Sequence, residues 1–537
     1  FSYGSGTDRL RPAFGAEVDI TTPSVDARPI LKELGWGSDA AREWFWGFGR
    51  DALPLDGLAW VPVGAGPFPL VLMVHGNHAM GDFSEPGYAY LGEHLASRGF
   101  IAVSIDEDFL NGSWAGDWGG SEQLARAWLL LLHADLWRSW AADPASELHG
   151  LVDAGRIALI GHSRGGEAAS VAAVLAGNDA PVAPGLQPWP RGLRIRAVVA
   201  IAPSDGQYQG SRVLLRDTDY LTLQGGHDGD ATSWMGIRQY ARTTVAPGGF
   251  RAALWSYRSN HGQFNAAWGR SDQGSLGGAL LDLGPIADEA AQEDVARTAI
   301  GAFLEASLHG ASGYRDLFRR PMVGREWLPT DDVYLVRSSD DTLIPLTISG
   351  ASSGVGRVSV TASGFDTSRS LPIPLRSLLP DQMTMGTELR WSAAPATATW
   401  EAHGIATIDG ADQATALTFA LANGSPAGQA AGTLDPIIEV STTDGVTIRL
   451  PLSHWGALPP PLAVRLVKNA VLARLSSMDL ALDAPPEIVL QTYELRLTDF
   501  SAADPAFRPE HVDVLRVIVD RSTAGALWIT EVGLSGS

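Results

Sequence analysis

Between about Leu58 and Leu308, short runs of apolar residues alternate with stretches of helical period, and few architectures accept such a sequence. Strands buried on both faces need helices packed on each side, so the pattern predicts an α/β fold with a mostly parallel sheet. The expected strands are Gly57–Val63, Pro69–Val74, Ile101–Asp106, Arg156–Ile160, Ala197–Ala202, Tyr220–Gln224 and Ala252–Tyr257. A helix over Ser121–Ala141 carries Leu124, Trp128, Leu131 and Leu132 at i, i+4, i+7 and i+8, one stripe to pack on the sheet. A closing helix over Gln292–Leu308 ends at His309 and Gly310.

Past Leu328 the helical periods vanish, Thr, Ser, Gly and Val rise, and short alternating segments recur. Single cores stop growing at roughly 250–300 residues, so a chain of 537 residues needs at least a second one. The plan expected is a lead-in over 1–56 that wraps the catalytic region, an α/β catalytic domain over 57–328 and an all-β sandwich over 329–537. Within the last, Val514–Val519 and Ala526–Leu534 flank Ser522-Thr523-Ala524-Gly525 and read as a β-hairpin.

Thirty-nine basic residues stand against 60 acidic ones, a net charge of −21, and Lys32 and Lys468 are the only lysines. Such a field repels nucleic acid and anionic membranes, which leaves neutral or insoluble substrates open. The absence of cysteine excludes disulfides, thiolate nucleophiles and cysteine-based metal sites. No apolar run reaches the roughly 18–20 residues of a membrane span. A start at Phe1 rather than Met fits a removed targeting segment or a trimmed beginning, so secretion stays open.

The chemistry concentrates at Gly161-His162-Ser163-Arg164-Gly165, which fits G-x-S-x-G directly after one expected strand and before the small-residue helix Glu167–Leu175. A chain that turns from strand to helix so sharply strains its central residue, and flanking glycines make room for it. A serine hydroxyl needs a histidine base, and that base needs a carboxylate that fixes its tautomer. With the order Ser, acid, His, the base is His261, in the loop after Ala252–Tyr257. Asp228, at the end of the preceding strand, is the acid, with Asp230 and Asp205 as rivals. His75 and His78 with Asp82, Asp106 or Asp108 form the one candidate metal cluster, but their spacing matches no helix-borne zinc motif. No metal or cofactor is therefore expected. Asp106 to Asp108 read as partners of Arg164, as shapers of the pocket or as an ordinary bonded loop.

The order of elements, Gly161-His162-Ser163-Arg164-Gly165-Gly166, the Gly225-x-x-Asp228 turn and His261-Gly262-x-Phe264 resemble the α/β-hydrolase superfamily over about residues 55–310. Within it the sequence is most similar to the esterase branch of dienelactone hydrolases, chlorophyllases and cutinase-type polyesterases. That resemblance implies an oxyanion hole made by the N–H groups of Arg164 and of a residue in His75-Gly76-Asn77-His78, with Asn77 as donor. The C-terminal region resembles galactose-binding-like and jelly-roll modules, on the strength of the last fifty residues. Trp455 and Trp528 are then either ligand platforms or inner-face packing.

About seventeen residues separate Ala202 from Tyr220, where lid-bearing lipases place a helical cap, so an open site is expected. Trp114 and Trp118 in the loop Asn111–Gly120 read as an aromatic wall or as core. The function these features favour is a serine esterase acting through an acyl-enzyme on bulky, polymeric or glycan-linked esters. The alternatives are an amidase or peptidase with the same triad, and a carbohydrate-binding or adhesion protein with a decayed hydrolase domain.

Overall fold

The computed structural model describes residues 1–35, 37–273, 278–346, 358–377, 379–392, 397–426, 434–469, 471, 485–520 and 524–536. The chain divides into two compact units. The first comprises Phe1–Ala231, Met235–Gly249 and Arg258–Tyr314, the second Thr232–Trp234, Phe250–Tyr257 and Arg315–Ser537.

The strands of the first unit are β1 (Ser2–Gly4), β2 (Ile20–Thr21), β3 (Gly57–Trp60), β4 (Phe68–Val74), β5 (Ile101–Ile105), β6 (Val152–His162), β7 (Ile195–Ile201) and β8 (Asp219–Gly225). They run in the order β2-β1-β3-β5-β4-β6-β7-β8 in a large mixed sheet. The block β5-β4-β6-β7-β8 is parallel throughout, while β3 is antiparallel to β5. The central strands bury every residue from Leu70 to Val74 and from Ile101 to Ile105. This is why they read as continuous apolar runs rather than alternating ones.

Helices α1 (Ser38–Trp46), α2 (Ala89–Ser97), α3 (Gln123–Ala142), α4 (Arg164–Leu175), α5 (Gly236–Arg242) and α6 (Glu289–Leu308) complete the unit. The start of α6 lies three residues before its apolar pattern, because Asp288 caps it by accepting the Ala291 N–H at 2.9 Å. In α3 the expected stripe is buried, but so is the opposite face. The leader covers it: the Tyr3 hydroxyl meets His133 Nδ1 at 2.6 Å, and its ring packs edge-on to Trp137 and Trp140. Strand β1 itself pairs antiparallel with β3, Ser2 opposite Leu58, a contact that no periodicity over three residues could announce.

Arg11 pins the leader electrostatically. Its guanidinium reaches Asp106 at 2.6 Å, Asp8 at 2.8 Å, Glu85 at 3.3 Å and Asp108 at 3.7 Å, and the same cation lies over the Phe14, Trp46 and Phe83 rings. Burial pushes Glu85 up to about 7, with the Asp106 charge adding to the rise and Arg11 opposing it.

The second unit opens with β9 (Phe250–Ser256), paired antiparallel with β10 (Tyr334–Asp340) so that Tyr334 faces Ser256. Its remaining strands are β11 (Ile344–Pro345), β12 (Ser359–Ser363), β13 (Thr367–Pro374), β14 (Asp381–Trp391), β15 (Ala398–His403), β16 (Ala416–Asn423), β17 (Ile437–Thr442), β18 (Thr447–Pro451), β19 (Gln491–Arg496), β20 (Val512–Val519) and β21 (Gly525–Ser535). One antiparallel sheet has the order β12-β15-β20-β17-β18 and another β13-β14-β21-β16-β19, with β11 added on β21. Side chains of both sheets meet in one core, Trp400, Val440 and Leu515 from the first with Leu389, Leu421 and Leu527 from the second.

One expectation fails in this region. Strands β20 and β21 do not form a hairpin; they belong to different sheets, since both bury long apolar stretches that a shared core satisfies better than edge pairing does. Ser522 and Thr523 of the expected turn lie outside the described residues. Of the two readings of Trp455 and Trp528, the inner-face one holds. Both are buried, with Trp455 Nε1 donating to Asp499 at 2.7 Å and Trp528 packed on Ile373, Ala420 and Leu490.

Removing the Arg11 cation leaves buried carboxylates uncompensated, which costs about 3–5 kcal/mol in comparable buried pairs. Arg11→Ala is therefore expected to lower the unfolding free energy in urea by an amount of that order, and a change below about 1 kcal/mol would remove the leader's anchor from this account.

Candidate active site

Strand β6 ends at His162 and α4 begins at Arg164, so one residue makes the turn between them. Ser163 takes φ 57° and ψ −125°, a conformation that costs a non-glycine residue about 1–3 kcal/mol. Close packing enforces it. A Cβ on Gly161 would lie 2.0 Å from Gly165 O, and one on Gly165 would lie 2.4 Å from His75 O. The loop after β4 lies directly against the serine, because a Cβ on Gly76 would sit 2.5 Å from Ser163 Cβ and 3.1 Å from its Oγ.

Asn77 follows in that loop. Its side-chain Oδ1 accepts the Gly112 N–H at 2.7 Å, which fixes the backbone conformation. Among the described residues neither the Asn77 N–H nor the Arg164 N–H has a hydrogen-bond partner. The Arg164 side chain is bound to Glu122 at 2.6 Å and Asp117 at 3.4 Å, not to Asp106, Glu107 or Asp108.

Those three carboxylates have other partners. Asp106 takes Arg11, and Glu107 takes Arg126 at 3.2 Å. His75, Asp106 and Asp108 bring ligand atoms within 4.8 Å of one another, the one such cluster among the described residues. The chain's own groups already fill it. His75 Nδ1 donates to Gly76 O at 2.8 Å and Nε2 accepts the Glu107 N–H at 2.9 Å. Asp108 accepts from Ser84 N–H and from the Asn111 side chain, each at 3.0 Å. Burial holds His75 down to about 3, in keeping with a neutral ring bonded at both nitrogens.

Asp228, three residues past β8, accepts three hydrogen bonds from its own segment: from Asp230 N–H at 2.9 Å, Ala231 N–H at 2.6 Å and the Gln224 side chain at 2.9 Å. Its Oδ2 also meets His261 Nδ1 at 2.9 Å. Of the two rival acids, one is engaged elsewhere. Asp205 is held by Arg238 at 2.9 Å and by Arg242 and Arg212. Asp230 approaches the other imidazole nitrogen, Nε2, at 3.4 Å. Among the described residues no hydrogen bond joins Ser163 Oγ to His261; the ring of His162, next to the serine, has its centroid 4.9 Å from that of His261. Burial alone would lower His261, but Asp228 and then Asp230 outweigh it and hold the imidazole up to about 10.

Residues that sequence reasoning passed over complete the surroundings. Trp268 stacks between His78, 5.1 Å away at 9°, and His261, 6.2 Å away at 8°, and its Nε1 donates to Ser84 Oγ at 3.0 Å. His162 bonds the Tyr88 hydroxyl at 3.1 Å. Neither has a motif to mark it; both are recognisable only once the loops are folded. Of the two loop tryptophans, Trp118 is core, 7% exposed, while Trp114 is 70% exposed at the tip of a tight turn closed by Ser113 and Gly116.

The fold and the turn of this segment resemble those of the α/β-hydrolase superfamily. Residues 51–216 match the chlorophyllase family, a family of that superfamily, which points to a hydrolase acting on esters. The matched stretch contains Asn77, Ser163 and Arg164 and ends before Asp228 and His261. No curated protein matches the chain.

With carboxylates on both ring nitrogens, His261 is expected to stay protonated well above pH 6.5, the ordinary histidine value. Asp230→Asn removes one of the two negative neighbours and should lower the midpoint, whereas Asp205→Asn should leave it in place. An NMR titration of the His261 ring checks this, and a wild-type midpoint at or below 6.5 would contradict it.

Proposed function

We propose that this chain is a serine carboxylic ester hydrolase in which Ser163 is the nucleophile, His261 the base, Asp228 its orienting acid, and the Asn77 and Arg164 N–H groups the oxyanion hole. The observation that carries the reading is Ser163 itself, a strained residue at a strand-to-helix turn with unpartnered backbone N–H groups on either side. The match to an ester-hydrolysing family over exactly the segment that bears the turn supports the ester class.

Ser163 Oγ attacks the ester carbonyl carbon while His261 Nε2 takes its proton. The Nδ1–H bond to Asp228 holds the ring in the tautomer that leaves Nε2 to accept. Negative charge gathers on the former carbonyl oxygen, where each preorganised N–H is worth about 3–4 kcal/mol. When the intermediate collapses, the carbon–oxygen bond to the alcohol breaks and the imidazolium returns its proton to the leaving oxygen. Water then attacks the acyl-enzyme, giving its proton to His261, and the acid leaves as Ser163 regains its hydrogen. Hydrogen bonds of this kind tighten on substrate binding, so the lack of a Ser163–His261 hydrogen bond among the described residues does not contradict the scheme.

Bulky or polymeric esters are the substrate class this site suits. Residues 203–218, between β7 and β8, carry no helix that would cap it. Exposed Trp114 stands on a loop tied to Asn77 through Gly112 and to Arg164 through Asp117, which offers an aromatic face on the loop that joins both oxyanion donors.

On p-nitrophenyl esters, Ser163→Ala should abolish turnover and Asp228→Asn should cost about 10⁴-fold in kcat, while Asp205→Asn costs only a few-fold at unchanged melting temperature. Because only the neutral imidazole accepts a proton, kcat/KM should rise with pH through the His261 midpoint rather than level off near pH 7. Activity surviving in Ser163→Ala above about one per cent of wild type would overturn the nucleophile.

A further inference from the structure

Asp228 and His261 sit on separate loops, and a base can be oriented by its acid only if the two loops keep one register. The Asp228–His261 hydrogen bond is a single contact at 2.9 Å. A third carboxylate, eleven residues beyond the base, grips both loops at once. Asp272 Oδ2 accepts the Gly229 N–H at 2.8 Å and the His261 N–H at 3.1 Å. Its Oδ1 accepts the Gly262 N–H at 2.8 Å and Asn260 Nδ2 at 2.7 Å. The next residue adds to the grip, Gln273 Nε2 donating to Gly229 O at 2.6 Å. The peptide groups on either side of Gly229, immediately after the acid, are therefore held through both their N–H and their C=O, and the base is held by its own backbone N–H.

We infer that Asp272 is a positioning residue of the reaction: its carboxylate clamps the acid loop to the base loop and so sets the geometry in which Asp228 orients His261. The inference rests on the Ser163–Asp228–His261 reading. Four donors converge on two oxygens, three of them backbone groups with no freedom to turn elsewhere, and this is the arrangement an ionised carboxylate satisfies and an amide cannot. Asparagine in its place offers one acceptor oxygen and presents an NH₂ to two N–H donors, so two of the four contacts are lost and the loops part on that side. Small displacements of this kind, remote from the reacting bond, cost up to about 100-fold in rate. The ionisable groups facing Asp272 are the carboxylate of Asp228 and the imidazole of His261, so the substitution also changes the charge in their neighbourhood.

The test uses Asp272→Asn and Asp272→Glu in the full chain, with p-nitrophenyl ester kinetics, melting temperature and the low-field NMR resonance of the His261 Nδ1 proton. The expected result is a fall in kcat of about 10–100-fold in both variants with KM within about twofold, and loss or broadening of the Nδ1 proton signal, at a melting temperature close to wild type. The glutamate variant keeps the charge and shifts the carboxylate, so its loss of kcat separates placement from charge. Should Asp272→Asn fail to fold, the glutamate variant decides alone. Kcat within about twofold of wild type in a folded variant, or an unchanged Nδ1 resonance, overturns the inference, as does the failure of both variants to fold, which would make Asp272 a residue of the fold only. A wild type without Ser163-dependent activity would instead overturn the reading beneath it.

Discussion

Everything in the first unit that bears on chemistry depends on the close approach of three backbone segments around Ser163: the end of β6, the start of α4 and the loop after β4. At Gly161, Gly165 and Gly76 the neighbouring atoms leave no space for a Cβ. That contact holds Ser163 in a strained conformation, φ 57°, and brings the Asn77 loop against it. Strain of one residue by about 1–3 kcal/mol is easily carried by a sheet whose central strands are fully buried, each large apolar side chain contributing about 1.5–3 kcal/mol. Beside the strained residue the Asn77 and Arg164 N–H groups have no partner among the described residues.

The other organising force is the management of buried charge in a chain that carries 60 acidic side chains. Each buried carboxylate near the site is answered by a named group: Asp106 by Arg11, Glu107 by Arg126, Glu122 by Arg164, Asp205 by Arg238 and Arg242. Asp228 and Asp272 differ, being satisfied by backbone and amide N–H groups rather than by guanidinium. Burial pushes both carboxyls up, and the Asp228 and Asp230 charges, with Asp272 behind them, raise the imidazole of His261.

The seven strands of the α/β region and the Ser163 turn were legible because burial on both faces and a strand–turn–helix string leave a local mark that survives in one dimension. His261 and Asp228 could be read from chain order, and they do meet at 2.9 Å. The three arginines gathered on Asp205 are a fact no spacing holds, and Asp230 lies beside the other ring nitrogen of His261. Short or non-periodic contacts stayed hidden. Strand β1 has three residues, Arg11 is one arginine among many, and Asp272 and Trp268 sit in loops where no period exists. Strands β20 and β21 misled for the opposite reason, since alternation within each says nothing about which sheet a strand joins.

The central claim, that Ser163 is an activated nucleophile, is tested most directly by treating the intact protein with a fluorophosphonate and locating the adduct by peptide mass spectrometry. One equivalent on Ser163, with ester hydrolysis lost in step, is the expected result. Hydrolysis that persists after Ser163 is fully modified, or an adduct found on another residue with Ser163 untouched, would contradict it.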